Sequence, residues 1–426
     1  MQNQLRSPAY ARTRKLYMAQ AAIEYLVSIL VTGSFLARIT SELGISDSLT
    51  GIISAFVSLG CVFELLSLFY RKKTVKRFVV ILTVLNQALF TFLYVIPLLE
   101  LPKTVKIVLL VASIFASYVA YYAAHPKKIN WLMSAVEDEK RGRFTANKEI
   151  ISLVTGILFS FGMGWLIDTF KEAGDLRKAF LLTAVTVLVL SALNLLTMIF
   201  AVEKPAEDTV EQGNVLAGMK QVFRDKNVLS IALVFVLWDM ASYASTSFYG
   251  TYQIKELGFS QTLIVALTAA GSLVRILVEN FWGRYADKHS FAAMLRICLF
   301  FSLAGYISAS LATPATGKIF FALYYILDGI AMGGANSAVI NLIFDYVPVE
   351  KRADSLALSS AVAGPFGFLT VLAISPLVTH IQNAGNRFLG LPLYAQQVTS
   401  LLGALFIGLC ILYIRFVVMK LKRAKK

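Results

Sequence analysis

The chain is divided into apolar blocks of about 20 residues, and this pattern constrains the fold more than any other feature. Such a block is long enough for a helix to cross a hydrocarbon layer of about 30 Å. Lipid offers no hydrogen-bond partners, so a spanning segment is a helix or a barrel strand, and the blocks lack the period-two alternation of a barrel. We predict an all-α membrane protein with twelve transmembrane spans, at 17–38, 49–70, 78–99, 105–126, 146–168, 179–202, 227–249, 261–283, 291–312, 318–344, 354–379 and 396–418.

Composition and charge support this interpretation. Apolar residues make up 57% of the chain and charged residues only 15%, against about 25% in a typical soluble domain. Most of the 40 Lys and Arg residues lie in the amino terminus, the tail and the alternate loops that share one side. This positive-inside pattern predicts that both termini lie in the cytoplasm, and we expect a multi-pass protein of the bacterial inner (plasma) membrane. We expect the basic residues that give the formal charge of +15 to contact membrane lipids and not nucleic acid.

The two halves of the chain resemble each other. The longest polar connection predicts a first bundle at 1–202, a cytoplasmic linker at 203–226 and a second bundle at 227–426. Matching residues recur at a shift of 211 to 215 positions: Glu42-Leu43-Gly44-Ile45-Ser46 with Glu256-Leu257-Gly258-Phe259-Ser260, Glu24 with Asp239, Glu64 with Glu279, Ile129-Asn130 with Ile340-Asn341, and Lys140-Arg141 with Lys351-Arg352. Several matches in one order predict an internal duplication into two pseudo-symmetric six-helix bundles, which can rock about a central site.

The loop after the eighth span reads Gly283-Arg284-Tyr285-Ala286-Asp287-Lys288-His289-Ser290. It resembles the Gly-x-x-x-Asp-Arg/Lys-x-Gly loop of the major facilitator superfamily, except at Ser290 and in the basic residues expected after it. The stretches Glu139–Arg143 and Pro348–Arg352 are similar to the acid–Arg stretches after the fourth and tenth spans of that family. The likeness covers essentially the whole chain, and the subfamily is left open because the signatures of drug antiporters and sugar porters are missing.

This resemblance implies a cytoplasmic gate. In that family the acidic and basic residues of these motifs latch the gate, which implies a gate role for Arg141, Arg284, Asp287, Lys288 and Arg352. The equivalent loop of the first half, Arg71–Arg77, keeps its basic residues but has lost the acid. We expect Glu64, one helical face above Arg71, to replace it.

Ionisable residues within the spans are the candidate functional residues, because a charge at the bilayer centre costs about 2.5–3.5 kcal/mol on insertion scales. Asp239, Arg275 and Asp328 reach similar depth near the midplane at about 1.5 Å per helical residue. Glu279 shares a helical face with Arg275, and Glu24 lies in the first span. The third, sixth, ninth and twelfth spans, which face lipid in the resembled family, carry no charge near their middle.

Two interpretations of these charges remain open. They could form a buried ion-pair network that fastens helices, or they could contact substrate and carry protons. The excess of acids over the one base favours the second, since a buried carboxyl can load and release protons. Asp239 or Asp328 is the first candidate for the proton, and Arg275 could hold an acid or an anionic group. Glu24 could serve either a gate or the coupling.

Polar and aromatic residues accompany the deep charges. Tyr243, Tyr249, Tyr324 and Asn336 are expected in a pocket for a sugar-like or amphipathic solute, although aromatic residues in spans also serve packing. His125 stands without a ligand set, so we expect no metal and no cofactor. The sequence offers no evident explanation for the polar residues Asn86 and Gln87 in the third span, which is expected to face lipid.

The function expected is transport and not enzymatic activity. The leading hypothesis is a monomeric secondary active transporter that moves a small polar or amphipathic organic solute by alternating access, in symport with protons. An efflux antiporter for cationic or apolar compounds is the second hypothesis, because deep acids outnumber deep bases. An intramembrane enzyme is a remote third, since no convergent nucleophile, base or metal ligands are visible.

Overall fold

The structure is a computed structural model that describes residues 7–70, 74–137, 140–203, 225–348 and 352–421. Helices form nearly all of it. Those of the first half are Pro8–Leu30, Gly33–Glu42, Asp47–Ser54, Ala55–Leu59, Gly60–Glu64, Leu65–Phe69, Lys76–Val95, Ile96–Leu98, Lys103–Met133, Arg141–Glu172 and Leu176–Phe200. Those of the second half are Lys226–Thr251, Tyr252–Glu256, Gln261–Lys288, Phe291–Ser310, Gly317–Tyr346, Arg352–Asn383, Ala395–Phe416 and Val418–Lys420, with a hairpin of strands Arg387–Phe388 and Leu391–Pro392 before the last span.

The helices account for the predicted spans. Among the described residues, ten helices are long and apolar enough to cross a membrane, and Pro8–Leu30 with Gly33–Glu42 forms one further bent span. The second span is a run of short helices that begins with the apolar stretch Asp47–Leu59. The predicted linker lies almost entirely outside the described residues.

The sequence indicates that the fourth and tenth spans could be tilted or broken, because one continues polar and the other is long. Neither is broken, since Lys103–Met133 and Gly317–Tyr346 are each one helix. The first span instead bends by 41° near Thr32. Gly33 there has φ of 53°, a left-handed conformation that breaks the helix and that glycine adopts without steric cost.

The turn after the first span of each half has the same construction. Gly44 ends one helix with φ of 60°, and Gly258 ends its counterpart with φ of 65°. Ser46 and Ser260 then accept hydrogen bonds from the backbone N–H groups of Leu49 and Leu263. A left-handed glycine followed by a serine N-cap is a stop-and-restart signal, and its repetition supports the internal duplication.

The chain divides into two compact units, which are not simple halves of the sequence. The first unit comprises residues 1–45, 62–210 and 260–265, and the second comprises 46–61, 211–259 and 266–426. Each unit therefore includes a short segment from the other half of the sequence.

Helix packing in the first unit centres on the first and third spans. Pro8–Leu30 packs against the fifth and sixth spans, and Lys76–Val95 packs against the fourth and sixth. The apolar core at one end includes Tyr17, Val79 and Trp131. Asn86 donates to the carbonyl and hydroxyl oxygens of Ser117 at 3.1 and 2.8 Å, and the Ser117 hydroxyl donates back to the Asn86 carbonyl at 2.9 Å. This exchange explains a polar residue in the third span.

Helix packing in the second unit repeats that arrangement. Lys226–Thr251 packs against the eleventh and twelfth spans, and Phe291–Ser310 packs against the tenth and twelfth. These are the contacts expected from the first unit when span numbers are raised by six. The exchanged segment 46–61 adds to this unit, because Ala55 joins Phe248 and Val371 in its core. The repeated packing confirms two related helix bundles.

Candidate functional site

The deep acid of the tenth span lies beside a cluster of tyrosine side chains in the second unit. Asp328 interacts electrostatically with Tyr249, Tyr306, Tyr324 and Tyr325. The Tyr249 and Tyr324 rings meet edge to face at 5.1 Å, and Tyr306 stacks on Tyr324 at 6.1 Å. Tyrosine rings are apolar on their faces and polar at their tips, so they can contact both parts of an amphipathic molecule.

Hydrogen bonds hold two of these tyrosines in place. The hydroxyl groups of Tyr249 and Ser400 are 3.0 Å apart, and Gln253 donates from its side chain to the Tyr325 hydroxyl at 3.1 Å. Tyr249 and Tyr324 are each only 5% exposed. The cluster is therefore fixed by packing and by polar partners from the seventh and twelfth spans.

Arg275 is the basic partner of Asp328, but at a distance. The charge of Arg275 acts on Asp328. The ion pairs within 4.0 Å among the described residues do not include one between these two side chains. The helices nevertheless approach closely, because a Cβ built at Gly329 would collide with the carbonyl of Gly271. Gly271 and Gly329 thus allow the eighth and tenth spans to approach closely beside Asp328. Arg275 on the eighth span is nevertheless not within ion-pair distance of that acid.

The other predicted residues of the second unit lie outside this cluster. Asp239 is half-buried on the seventh span, and no hydrogen bond to it is found in the described part of the chain. Glu279 and Asn336 are exposed. Tyr243 packs against the apolar core of the unit, beside Gly367. Of the residues predicted for this half, the structure brings together Asp328, Tyr249, Tyr324 and, through its charge, Arg275.

A second charged cluster lies on the fourth span of the first unit. The Lys128 ammonium group is 2.6 Å from both carboxylate oxygens of Glu24. It also lies 4.8 Å from the centre of the Tyr121 ring. Lys128 is 4% exposed, so this is a buried ion pair with a cation–π contact.

The same face of the fourth span holds a second acid–base pair. His125 Nδ1 is 2.9 Å from Glu64 Oε1, and the His125 ring lies 5.3 Å from the Tyr121 ring. Residues 121, 125 and 128 share a face because they are spaced four and three apart. Glu64, which we expected at the gate, is thus placed against His125, while its expected partner Arg71 lies outside the described residues.

Lys128 is the functional candidate that sequence reasoning missed. The predicted fourth span ended at residue 126, where the chain continues polar toward Trp131. The helix continues to Met133, and Trp131 secures its end by donating from Nε1 to the Val202 carbonyl at 3.1 Å. Glu24 on the first span was the available signal, since a buried acid predicts a basic partner.

The predicted gate residues lie at helix ends. Arg284 and Lys288 are exposed near the end of the eighth span, and Arg141 is exposed at the start of the fifth. Arg352 donates from Nε to the Val347 carbonyl at 3.2 Å. The side chain of Asp287 lies outside the described residues.

In the first half, the start of the third span, which corresponds to the region after the eighth span, is held by a different set of contacts. Glu203 accepts hydrogen bonds from the backbone N–H groups of Val75 and Lys76, at the start of the third span. The Lys76 ammonium group donates to the carbonyls of Ile199 and Ala201 at 2.7 and 2.8 Å, at the end of the sixth span. The Glu203 carboxylate thus lies at the positive N-terminal end of the third span, and the Lys76 ammonium group lies at the negative C-terminal end of the sixth. Glu203 supplies an acid that the Arg71–Arg77 loop lacks.

Comparison with known proteins decides the family. The family model of the Major Facilitator Superfamily matches residues 17–371. The chain belongs to this superfamily. A search of curated proteins finds no match.

Solved transporters of this superfamily show the same fold at low sequence identity. The nucleoside transporter NupG is 14% identical, with a TM-score of 0.67 over 98% of this chain and 100% of its own. A bacterial homologue of the human lysosomal transporter Spinster is 13% identical, with a TM-score of 0.67 over 99% and 98%. The D-xylose–proton symporter is 12% identical, with a TM-score of 0.65 over 93% and 96%. The superfamily and this likeness identify a multi-pass membrane transporter and not an enzyme.

Ionisable side chains are the reactive groups that both units place on their membrane spans. No three or more His, Cys, Asp and Glu side chains converge as metal ligands within the part of the chain that the structure describes. Among the described residues, the fourth span of the first unit offers two acid–base pairs, Glu24–Lys128 and Glu64–His125. The tenth span of the second unit offers Asp328, which lies among tyrosines with no described base within ion-pair distance.

Proposed function

We propose that this transporter is a proton-coupled symporter that moves a small polar or amphipathic organic solute by alternating access. The observation that carries the proposal is the environment of Asp328: a deep acid surrounded by tyrosines, with its basic partner Arg275 beyond ion-pair distance. A carboxyl in such a place can exist with or without its proton, whereas one held by a contacting ammonium group stays charged.

Each group has a role in this proposal. Asp328 takes up the proton. Because Arg275 interacts electrostatically with Asp328, protonation removes a negative charge from the surroundings of Arg275. Tyr249 and Tyr324 supply apolar ring surface and polar tips for the solute. Asp239 is the second candidate for the proton, because it is half-buried on the seventh span.

The test is Asp328→Asn in purified protein reconstituted into liposomes. A proton gradient drives accumulation only if the carrier binds the proton, so we expect accumulation to fall to background. Exchange of labelled solute between the two sides at equal concentration needs no net proton movement, and it should persist. Asp345→Asn on the same helix is the matched control and should accumulate solute like the parent. If the Asp328→Asn protein still accumulates solute against its gradient, the assignment is wrong.

Proton-driven efflux of cationic compounds is the second candidate function. The observation that favours it is the acid among tyrosine rings, because ring faces attract cations. The direction of proton movement separates the two functions. Adding solute outside should make the external medium more alkaline for a symporter, whereas an antiporter that takes the compound inward would acidify it.

The solute is found by thermal-shift measurements on the purified protein. A ligand that binds the folded state raises the apparent melting temperature by mass action. Sugars, nucleosides, peptides, organic acids and cationic dyes form the panel. Binding of a sugar or nucleoside would favour symport, and binding of dyes alone would favour efflux.

A further inference from the structure

The sixth and twelfth spans end in the same way in the two units. Each helix ends on a phenylalanine, Phe200 or Phe416, and the two are 216 positions apart. A cation lies over each ring. The Arg12 guanidinium group is 5.0 Å from the centre of the first ring, and the Lys420 ammonium group is 5.9 Å from that of the second. The residues around these two helix ends can therefore be compared position by position.

The comparison shows a difference in charge. In the first unit, Glu203 lies three residues after Phe200 and binds the start of the third span. In the second unit, the residue three positions after Phe416 is Met419. Its sulfur lies 3.7 Å from Nη1 of Arg296, on the ninth span. A thioether is a weak acceptor without charge, so the acid that the first unit supplies at this place is replaced by an uncharged group in the second.

Three cations gather at this end of the second unit. Arg296 contacts Met419, Arg415 lies four residues before Met419, and Lys420 follows it. Arg415 and Lys420 are exposed, and Arg296 is half-buried. The ion pairs within 4.0 Å among the described residues include none of these three side chains. Like charges repel one another, so an anion from outside the chain would stabilise this arrangement.

The cations lie at the level of a membrane surface. Arg296 is five residues from the start of the helix Phe291–Ser310, which corresponds to about 7.5 Å along the span. Its guanidinium group contacts Met419, which lies beyond the last residue of the twelfth helix, so the side chain extends back toward the surface. Long basic side chains extend in this way to place their charge in the polar headgroup layer.

Exposed apolar side chains lead from the cations into the membrane along both helices. Four of them share one face of the twelfth span, at spacings of four, three and four residues: Leu405, Leu409, Leu412 and Phe416. On the ninth span, Phe300 and Ile307 are exposed four and eleven residues after Arg296, on the same helical face. The two helices pack against each other, and Arg296 joins them at Met419. The two apolar faces thus flank one groove that ends at the cations.

We propose that Arg296, Arg415 and Lys420 bind the phosphodiester headgroup of an anionic phospholipid, whose acyl chains lie along the exposed faces of the ninth and twelfth spans. A guanidinium group offers paired N–H donors that match phosphate oxygens, and a methionine sulfur competes weakly for them. The lipid supplies the second unit with the negative charge that Glu203 gives to the first. This site is separate from the Asp328 cluster and needs neither solute nor proton.

The experiment adds phosphatidylglycerol to delipidated protein in an uncharged detergent. Native mass spectrometry counts the bound lipid, and a thermal shift measures its effect, because a ligand of the folded state raises the apparent melting temperature. We expect phosphatidylglycerol to raise it clearly. Phosphatidylcholine with the same acyl chains has no net charge and should raise it much less, and inorganic phosphate at the same concentration should leave it unchanged.

The first variant removes a cation. Arg296→Gln should weaken binding of phosphatidylglycerol by roughly tenfold or more, as expected when a hydrogen bond to a charged group is lost. Lys226→Gln is the matched control, since it removes one exposed positive charge from the start of the seventh span. The seventh and ninth spans begin on the same side of the membrane, because two crossings separate their starts. This control should bind the lipid like the parent.

The second variant supplies the missing acid. Met419→Glu gives Arg296 a carboxylate at the position where the first unit has Glu203, so it should weaken binding of phosphatidylglycerol as Arg296→Gln does. It should also raise the melting temperature of the lipid-free protein toward that of the parent with lipid. Met419→Gln, of the same size but uncharged, should bind the lipid like the parent. Because Met419→Glu keeps all three cations, it decides the question if Arg296→Gln fails to fold.

Four results would overturn the lipid site. An equal thermal shift from phosphatidylcholine would mean that only the apolar faces bind, and an equal shift from inorganic phosphate would mean that no lipid is needed. An equal loss of binding in Lys226→Gln would reduce the effect to overall charge. Unchanged binding in Met419→Glu would show that Arg296 does not hold the headgroup.

Discussion

The fourth and tenth spans occupy matching places in the two units, yet their ionisable residues differ in whether a partner of opposite charge contacts them. On the fourth span, Lys128 and His125 each contact an acid from another helix, Glu24 and Glu64. On the tenth, Asp328 lies among tyrosines, and its cation is beyond ion-pair distance. Removing one partner of a contacting buried pair leaves an uncompensated charge and destabilises the fold, whereas neutralising an acid that has no contacting base leaves no such charge. Under the proposed function, one bundle has a fastening role and the other has the coupling role.

We expect the largest effect from breaking the Glu24–Lys128 ion pair. Lys128→Met leaves the Glu24 carboxylate buried without its base, and removing one partner of a buried pair typically costs about 3–5 kcal/mol. We expect a strong fall in the melting temperature of the purified protein in detergent. Glu24→Gln with Lys128→Met removes both charges and should recover most of the loss.

Asp328→Asn is the comparison variant for that experiment. Because no described base lies within ion-pair distance of this acid, its neutral replacement should leave the melting temperature close to that of the parent while abolishing accumulation. An equal loss of stability in Lys128→Met and Asp328→Asn would show that the two spans do not differ as we argue.

The second effect tests the close approach of helices beside Asp328. A Cβ at Gly271 would lie 2.7 Å from the carbonyl of Tyr325, and overpacking of this kind costs about 1–3 kcal/mol. Gly271→Ala should therefore lower the melting temperature. Gly283 on the same helix has nothing within 4 Å of the added Cβ, so Gly283→Ala should be neutral or gain up to about 1 kcal/mol from helix propensity. Similar results for both would mean that the eighth and tenth spans are not in tight contact there.

These regions also differ in how far the sequence could predict them. The spans and the depth of Asp328 follow from local properties, because the hydrocarbon thickness sets the length of an apolar block and the helical rise sets the depth. Lys128 could not be placed in the same way. A proline followed by polar residues ordinarily ends a helix, and only packing at Trp131 shows that this one continues.

The partners of most contacts between residues distant in sequence do not follow from local pattern. The sequence shows the repeated Glu-Leu-Gly turn, but not that Asp47 and Gln261 then enter units formed largely by the other half of the chain. Asn86 gives a smaller example, since its partner Ser117 lies on another span. Periodicity and spacing describe a helix, whereas its partners depend on how all the helices pack.

The smallest expected effect concerns that pair in the third and fourth spans of the first unit. Ser117→Ala removes the hydroxyl that Asn86 both donates to and accepts from, which leaves the buried Asn86 amide with the Ser117 carbonyl alone. An orphaned buried polar group costs about 1–3 kcal/mol, so we expect a modest fall in melting temperature. Asn86→Leu with Ser117→Ala removes both partners and should be closer to the parent than Ser117→Ala is. Accumulation of solute should be unchanged in both, since this pair lies in the bundle without the Asp328 acid, and a loss of accumulation would extend the coupling role to the first unit.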